Sequence, residues 1–202
     1  MGNVIIERLI ERLRIMPGIG PKSAQRIAYY LLDRNRHGAI QLADALVEAM
    51  QQIKYCDRCR TYSEVERCAI CCDQGRDVTR LCIVETPADQ IALEQVTGFR
   101  GYYFVLLGRL SPLDGVGPEA IGLDRLQQRL QEGEVEEVII ATNPTAEGEA
   151  TAHYISEMVH QHALKVTRIA HGIPMGGELE FIDPTTLNHA FNRRVTVERF
   201  NR

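Results

Sequence analysis

Four cysteines have the residue type and the spacing of a metal site. They form two C-x-x-C pairs, Cys56 with Cys59 and Cys68 with Cys71, separated by the eight residues 60–67. Each pair is short enough for both thiolates to reach one ion, and four thiolates satisfy the tetrahedral preference of zinc. We therefore predict one structural Zn²⁺ per chain, with no open coordination position for chemistry. Four free cysteines or two disulfides are the alternative, which the paired spacing disfavours.

The remaining composition indicates a globular protein of a reducing compartment. Cys72 and Cys82 fall outside the metal spacing and are expected to be free thiols, with Cys82 buried in an apolar strand. Cysteines in metal spacing are typical of the cytosol, so we expect a cytoplasmic protein. No signal-peptide pattern follows Met1 and no apolar run is long enough to cross a bilayer, so no membrane partner is predicted.

A turn rich in glycine and proline in the first third of the chain is a candidate phosphate-binding element. Apolar spacing predicts helices over residues 4–14, from Pro21 to about Leu32, and over residues 39–53, and Pro17-Gly18-Ile19-Gly20 interrupts the first two. Glycines allow close approach of a ligand, and the free N–H groups that start the next helix attract anions. Lys22 and Arg26 lie four residues apart on one face beyond the turn and could hold successive phosphates without reading bases.

The turn with its flanking helices resembles a helix-hairpin-helix motif. An ordinary tight turn between helices is the alternative. A nucleotide P-loop fits less well, because the G-x-x-x-x-G-K-[ST] spacing is absent and no strand precedes the turn.

The charges divide the chain into a basic and an acidic part. Residues 1–60 carry ten Lys and Arg against six Asp and Glu, whereas residues 79–202 carry eleven against seventeen. This asymmetry suggests that only the first part meets a polyanion, while the acidic body meets proteins or metal. Two ordinary solvated surfaces would give the same numbers.

After the cysteines, strand and helix patterns alternate. Strands are predicted at residues 81–84, 103–107, 138–141 and 165–170, and helices at residues 87–96, 119–130 and 148–161. This order predicts an α/β fold with a parallel sheet flanked by helices on both faces. Functional groups of such sheets lie beyond the carboxyl ends of strands, where Glu85 and the segment 142–149 fall.

These two segments resemble a Toprim domain, the metal-binding fold of topoisomerases, primases and some nucleases. Active members carry a glutamate after the first strand and an Asp-x-Asp pair after a later strand, which together hold Mg²⁺. Glu85 matches the glutamate, but Asn143 and Thr145 stand in place of the aspartates. Mg²⁺ sites favour carboxylates, and Glu147 and Glu149 compensate only in part. We therefore predict no metal-dependent catalysis, with a Mg²⁺-dependent nuclease or topoisomerase-like enzyme as the alternative.

Over nearly its full length the chain resembles the RecR family of bacterial recombination mediators. Further stretches that resemble the family are residues 107–118, 141–151 and 168–174. The resemblance implies a helix-hairpin-helix region (1–54), a four-cysteine zinc finger (55–78), a Toprim domain (79–175) and a C-terminal oligomerisation segment (176–202). In that last segment, residues 187–200 read as an apolar helix followed by a strand at Val195-Thr196-Val197.

The family resemblance also implies partners and residue roles. It implies a non-catalytic homo-oligomer, a dimer or a tetrameric ring, that binds DNA without sequence preference. It further implies action with RecO and RecF in loading RecA onto single-stranded DNA. Lys22 and Arg26 match DNA-contacting positions, and Glu85, Asn143, Glu147 and Glu149 lie on the surface that meets the protein partner. A thiol redox protein using C-x-x-C is a further alternative, which bound zinc would exclude.

Overall fold

A computed structural model describes residues 3–170, 172–174, 176 and 178–192. The chain divides into two compact units, Met1–Ile53 and Lys54–Arg202. Within the described residues, no helix is both long and apolar enough to cross a membrane. The predicted apolar helix that begins at Leu187 overlaps an observed helix, Pro184–Asn192. The predicted strand at Val195-Thr196-Val197 lies outside the described residues.

The first unit consists of three helices: α1 (Val4–Leu13), α2 (Pro21–Arg34) and α3 (Arg36–Gln52). Asn3 caps α1, since its side chain accepts hydrogen bonds from the N–H groups of Ile5 and Ile6. Pro21 occupies the first turn of α2, where its missing N–H costs nothing. The three helices agree with the predicted ones to within three or four residues at each end. Buried residues are confined to Ala24 and Ala28 of α2 among those described.

The second unit joins a small hairpin to a parallel sheet. Its elements are β1 (Lys54–Tyr55), β2 (Tyr62–Ser63), α4 (Ala69–Cys72), β3 (Asp77–Val84), α5 (Pro87–Val96), β4 (Gly101–Val105), α6 (Leu123–Gln131), β5 (Glu137–Ala141), α7 (Ala146–His160), β6 (Lys165–Arg168) and α8 (Pro184–Asn192). β1 and β2 pair antiparallel, and the larger sheet has the order β4-β3-β5-β6 with every neighbouring pair parallel. The predicted α/β fold class is confirmed.

Alternate residues of β3 enter two different cores, as expected for a sheet covered on both faces. Leu81 and Ile83 pack in a cluster with buried residues of α6 and α7, including Leu126 and Ile155. Cys82 and Val84 pack on the opposite face, against Leu93 of α5. Cys82 is 4% exposed, in agreement with the predicted buried thiol.

One helix begins later than the sequence pattern predicts. α6 starts at Leu123 and not at Glu119, because Gly122 before it adopts a left-handed conformation with φ +74°. A Cβ atom at Gly122 would collide with the guanidinium of Arg60. The glycine therefore both turns the chain and admits the arginine. That close approach depends on a partner more than sixty residues away, which local periodicity does not reveal.

The outer edge of the sheet at β4 is closed by the residues that precede the sheet and by α6. Nη1 of Arg76 donates to the Gly101 carbonyl at 2.9 Å, and Nη1 of Arg129 donates to the Tyr103 carbonyl at 2.9 Å. The N–H of Val105 donates to the Cys59 carbonyl at 2.8 Å. An edge strand otherwise presents such groups unpaired, open to pairing with another chain. The cysteine-containing segment is thus fixed along β4 by backbone hydrogen bonding.

The ion pair of Arg76 with Glu94 gives a stability prediction. The Arg76 side chain is 4% exposed, and its two Nη atoms bind the two carboxylate oxygens of Glu94. Glu94→Gln leaves this buried cation with Asp73, whose Oδ2 lies 3.5 Å from its Nε, as the remaining counter-charge. We therefore expect a loss of about 2 kcal/mol in the free energy of unfolding at pH 7, since two charge-assisted hydrogen bonds are weakened. Urea unfolding of the zinc-loaded protein measures it.

An exposed ion pair serves as the control, and the pKa of Glu94 predicts how the effect depends on pH. Lys165→Gln breaks a pair whose lysine side chain is 67% exposed, and should cost under about 1 kcal/mol. The hydrogen bond from Arg76 lowers the pKa of Glu94. The ionised Glu94 therefore contributes its full stabilisation above the pKa of about 4.3 that it has in the unfolded chain. This stabilisation is lost as the pH falls through the lower pKa of the folded protein. A stability difference between Glu94→Gln and wild type that grew on acidification would contradict this account.

Candidate functional site

The four cysteines of the two C-x-x-C pairs converge on one point. The sulfur atoms of Cys56, Cys59, Cys68 and Cys71 all lie within 4.8 Å of one another. A tetrahedral zinc ion with Zn–S bonds of about 2.3 Å requires sulfur atoms about 3.8 Å apart, so shifts of about 1 Å or less bring the set to that spacing. Cys56 and Cys59 are fully buried, whereas Cys72 next to Cys71 is exposed and donates to the Arg67 carbonyl at 3.6 Å. The predicted zinc site is therefore present, and Cys72 stands outside it.

Local hydrogen bonds shape the knuckles around the ion position. The N–H of Cys68 donates to the sulfur of Cys56 at 3.3 Å, linking the two pairs. Hydrogen bonding from Cys59, and then from Cys71, lowers the pKa of Cys68, whereas the contact with Cys68 raises the pKa of Cys59 and the contact with Cys59 raises that of Cys71. The four sulfur atoms therefore interact strongly with one another in the absence of a cation. Binding of zinc to the thiols then releases protons, as expected for a thiolate site.

Two buried arginines join the zinc finger to the sheet, one from each side. Arg60 directly follows Cys59 and has a left-handed backbone, with φ +66°. Its side chain donates to the Ile121 carbonyl, and its guanidinium lies 5.6 Å from the centre of the Phe104 ring. In the opposite direction, Arg129 of α6 donates to the Arg58 carbonyl at 3.1 Å, inside the first cysteine pair. These contacts make the metal centre part of the sheet unit.

In the first unit, the turn before α2 has the features expected of an anion-binding hairpin. Gly18 is left-handed with φ +79°, and no side chain among the described residues caps α2. The first N–H groups of α2 are therefore available to a ligand. Lys22 and Arg26 are exposed one turn apart on α2, and neither forms an ion pair within the described chain. Two cations and a helix start thus face solvent together.

In the second unit, Glu85 and Asn143 meet at the carboxyl ends of β3 and β5. Oε1 of Glu85 accepts a hydrogen bond from the Asn143 N–H at 2.7 Å, and Oε2 accepts one from Nδ2 of Asn143 at 3.0 Å. Glu85 is 3% exposed, and Nη1 of Arg109 lies 4.0 Å from its Oε2. Both carboxylate oxygens are thus bound by the residue that stands where an aspartate would hold metal.

The two glutamates that follow are not drawn to Glu85. Glu149 forms a two-pronged ion pair with Arg168 of β6, with both N···O distances 2.7 Å. Glu147 is half-buried at the start of α7, where its carbonyl accepts from Thr151 at 2.7 Å. In the part of the chain that is described, the cysteines are the one group of three or more Cys, His, Asp or Glu with metal-ligating geometry. Glu147 and Glu149 do not join Glu85 in such a group among the described residues.

Sequence reasoning missed the arginines that bind the finger to the sheet. Arg129 is 6% exposed and lies in the buried stripe of α6 with Leu123, Leu126 and Leu130. An arginine at a position of an apolar helix face is a signal that could have been noticed. Arg60 and Arg76 offered no such signal, because they lie outside any periodic element.

A helix-hairpin-helix segment, a four-cysteine zinc finger and a Toprim sheet in one chain define a class of DNA-handling proteins. Residues 6–50 match the RecR helix-hairpin-helix family, residues 53–73 the RecR zinc finger domain with four cysteines, residues 79–170 the Toprim domain and residues 172–195 the RecR C-terminal family. The chain belongs to the RecR family of recombination proteins.

Relatives named Recombination protein RecR match over nearly the whole chain. The protein from Xanthomonas campestris pv. campestris strain 8004 is 55% identical over 193 residues, which cover 96% of this chain and 98% of the relative. The protein from Xylella fastidiosa strain Temecula1 is 53% identical over 197 residues, covering 98% of this chain and all of the relative. The family resemblance predicted from sequence is confirmed.

The ligand set is tested by substituting one cysteine inside it and one outside it. Cys68→Ser removes one of four thiolates, so we expect the purified protein to lose most of its zinc and to unfold at a lower temperature. Cys72→Ser changes an exposed thiol outside the set and should keep one zinc per chain. Elemental analysis and thermal unfolding of both variants measure this. Zinc loss in Cys72→Ser with zinc retained in Cys68→Ser would show that the ligand set is wrong.

Proposed function

We propose that this chain is a non-catalytic, DNA-binding mediator of recombinational repair. In this proposal it binds the DNA backbone through the start of α2 and works as a homo-oligomer, a dimer or a tetrameric ring. It acts in the cytoplasm with RecO and RecF to promote loading of RecA onto single-stranded DNA. Family membership supports the role in recombination, and the partner proteins are inferred from the family resemblance.

DNA binding rests on one observation, the exposed pair of cations beside an uncapped helix start. Lys22 and Arg26 face solvent one turn apart, next to the left-handed Gly18. Phosphate oxygens accept from backbone N–H groups and from both cations, and none of these contacts reads a base. Binding through this surface is therefore independent of sequence and sensitive to salt.

A non-catalytic role is supported by the state of Glu85. A Toprim enzyme needs its glutamate carboxylate for a Mg²⁺ ion that stabilises phosphoryl transfer. Here Asn143 donates to both oxygens of that carboxylate. Mg²⁺ at this carboxylate would compete with two hydrogen bonds for its negative charge and would gain only uncharged ligands from Asn143 and Thr145. We propose instead that Asn143, Glu147 and Glu149 belong to a surface that binds a protein partner, and that the buried Glu85 supports this surface by holding Asn143.

Self-association is supported by the apolar side chains that the first unit leaves exposed. No residue of α3 is buried, and Leu46, Val47 and Met50 are 55%, 56% and 78% exposed. Soluble proteins rarely expose so many apolar side chains on one helix without a partner. A second copy of the chain is the partner that a homo-oligomer supplies.

The DNA surface is tested by the double substitution Lys22→Ala with Arg26→Ala. Removing two phosphate contacts should weaken DNA binding at least about tenfold near physiological salt. The plot of log K against log salt should also become less steep, its negative slope shrinking in magnitude by about 1.5 to 2. Fluorescence anisotropy with oligonucleotides of different sequence measures both. Unchanged affinity of a folded double variant would show that DNA binds elsewhere.

Glu85→Ala serves as the control for DNA binding and also tests whether the protein is a Mg²⁺-dependent enzyme. It should leave DNA affinity unchanged, since Glu85 is buried in the second unit at the end of β3. The same samples incubated with DNA and Mg²⁺ should show no strand cleavage. Mg²⁺-dependent cleavage that Glu85→Ala abolishes would establish the Toprim nuclease or topoisomerase-like alternative.

Oligomer formation is tested by introducing charge on α3. Val47→Glu with Met50→Glu places two carboxylates on the exposed apolar face, so we expect dissociation to a smaller species at micromolar concentration. Light scattering coupled to size-exclusion chromatography gives the mass. Glu48→Gln, on the polar side of the same helix, is the matched control and should keep the wild-type mass. A charged variant of unchanged mass would place the subunit contact elsewhere.

A further inference from the structure

A zinc ion held by four thiolates creates a charge problem inside this unit. Two positive charges on the ion meet four negative charges on the sulfurs, so the filled centre carries a net charge of about −2. Two of its ligands, Cys56 and Cys59, are fully buried. A buried charge is costly unless a partner of opposite sign is near it. The surroundings of the cysteines should therefore contain a cation that is not already neutralised.

Arg58 and Arg60 do not meet this requirement, although both lie beside the cysteines. The guanidinium of Arg58 is bound by two carboxylates, those of Glu132 and Glu134. The side chain of Arg60 is directed to the Ile121 carbonyl and to the ring of Phe104, on the α6 side of the finger. Arg58 is therefore neutralised by carboxylates, and Arg60 binds a carbonyl and an aromatic ring.

Arg129 has the required position and charge. It is 6% exposed, and no carboxylate of the described residues lies within ion-pair distance of it. Its Nη1 donates to the Arg58 carbonyl at 3.1 Å, and Arg58 lies between the ligands Cys56 and Cys59 in the chain. The same Nη1 donates to the Tyr103 carbonyl at 2.9 Å, which ties the knuckle to β4.

The charges around Arg129 agree with this placement. Burial lowers the pKa of Arg129, and the nearby charge of Arg58 lowers it further, whereas Cys71, Cys59 and Glu132 act in the opposite direction. The ligands Cys71 and Cys59 thus favour the charged guanidinium when they are thiolates, as they are in a zinc site. Arginine stays protonated in proteins, so its charge is permanent at any pH at which zinc binds.

We propose that Arg129 is a positioning residue of the zinc centre, holding the first cysteine pair through the Arg58 carbonyl and setting a buried positive charge against the zinc tetrathiolate. The inference concerns zinc retention and is independent of the proposed role in recombination. Groups behind the ligands commonly determine metal affinity by tenfold or more through orientation and charge. Arg129 supplies both from a helix that is distant in sequence from all four ligands.

The test compares three variants in the zinc-loaded, full-length protein. Arg129→Met keeps an unbranched apolar stem and removes the charge and the donors. Arg129→Lys keeps the charge and loses the guanidinium geometry. Arg125→Met, one turn earlier on α6 and exposed, is the matched control. Zinc release to a colorimetric chelator is followed at pH 7, and global unfolding under the same conditions is followed by circular dichroism.

We expect zinc release to be at least about tenfold faster in Arg129→Met than in wild type, intermediate in Arg129→Lys and unchanged in Arg125→Met. Release should precede unfolding, because the ligand cage loosens while the sheet remains folded. If Arg129→Met does not fold, the Arg129→Lys comparison decides, with faster release before unfolding supporting the proposal. Zinc release at the wild-type rate in a folded variant overturns it. Release that only accompanies global unfolding also overturns it, since Arg129 would then act only as a structural contact of β4.

Discussion

The structure of the second unit depends on how the outer edge of β4 is satisfied. Backbone groups at a sheet edge must find partners or remain open to other chains. Here the partners are the Cys59 carbonyl and the guanidinium groups of Arg76 and Arg129. The zinc finger is consequently hydrogen-bonded to the edge strand of the sheet. Its first knuckle lies where a further strand would pair, and the ion that fixes the knuckle also fixes the edge.

This arrangement explains why arginines, and not lysines, lie along the junction. A guanidinium presents several donors in a plane, so Arg129 can reach two carbonyls from different segments and Arg76 can bind a carbonyl and a carboxylate at once. Each such group is buried and charged, and each therefore needs a nearby negative charge. For Arg76 these charges are Glu94, on α5, and Asp73. The finger, the sheet and the helices are thus joined by buried arginines that bind carbonyls and, in the case of Arg76, carboxylates.

The features that could be predicted from sequence are those that are local in the chain. The C-x-x-C pairs are short enough for spacing alone to indicate convergence, and the apolar patterns of α5 and β5 mark buried faces directly. The bounds of β3 and α6 and the bonds of Arg60 were not predictable in this way. Gly122 starts α6 late because it accommodates Arg60, which is distant in sequence, and β3 begins at Asp77, before the apolar run. Which carbonyl an arginine binds depends on tertiary packing that no periodicity encodes.

The Toprim surface shows how one residue changes the use of a shared geometry. At the end of β5 an aspartate would add a second negative charge beside Glu85, and a divalent cation would then be needed to hold the two carboxylates together. Asn143 has nearly the same shape but is a donor, so it removes the need for a cation by bonding to Glu85 directly. A Cβ at Gly148 would collide with the Asn143 carbonyl, so the backbone there is as closely packed as a metal site requires. The close approach of two strand ends is retained, and the hydrogen bonds between Glu85 and Asn143 join them.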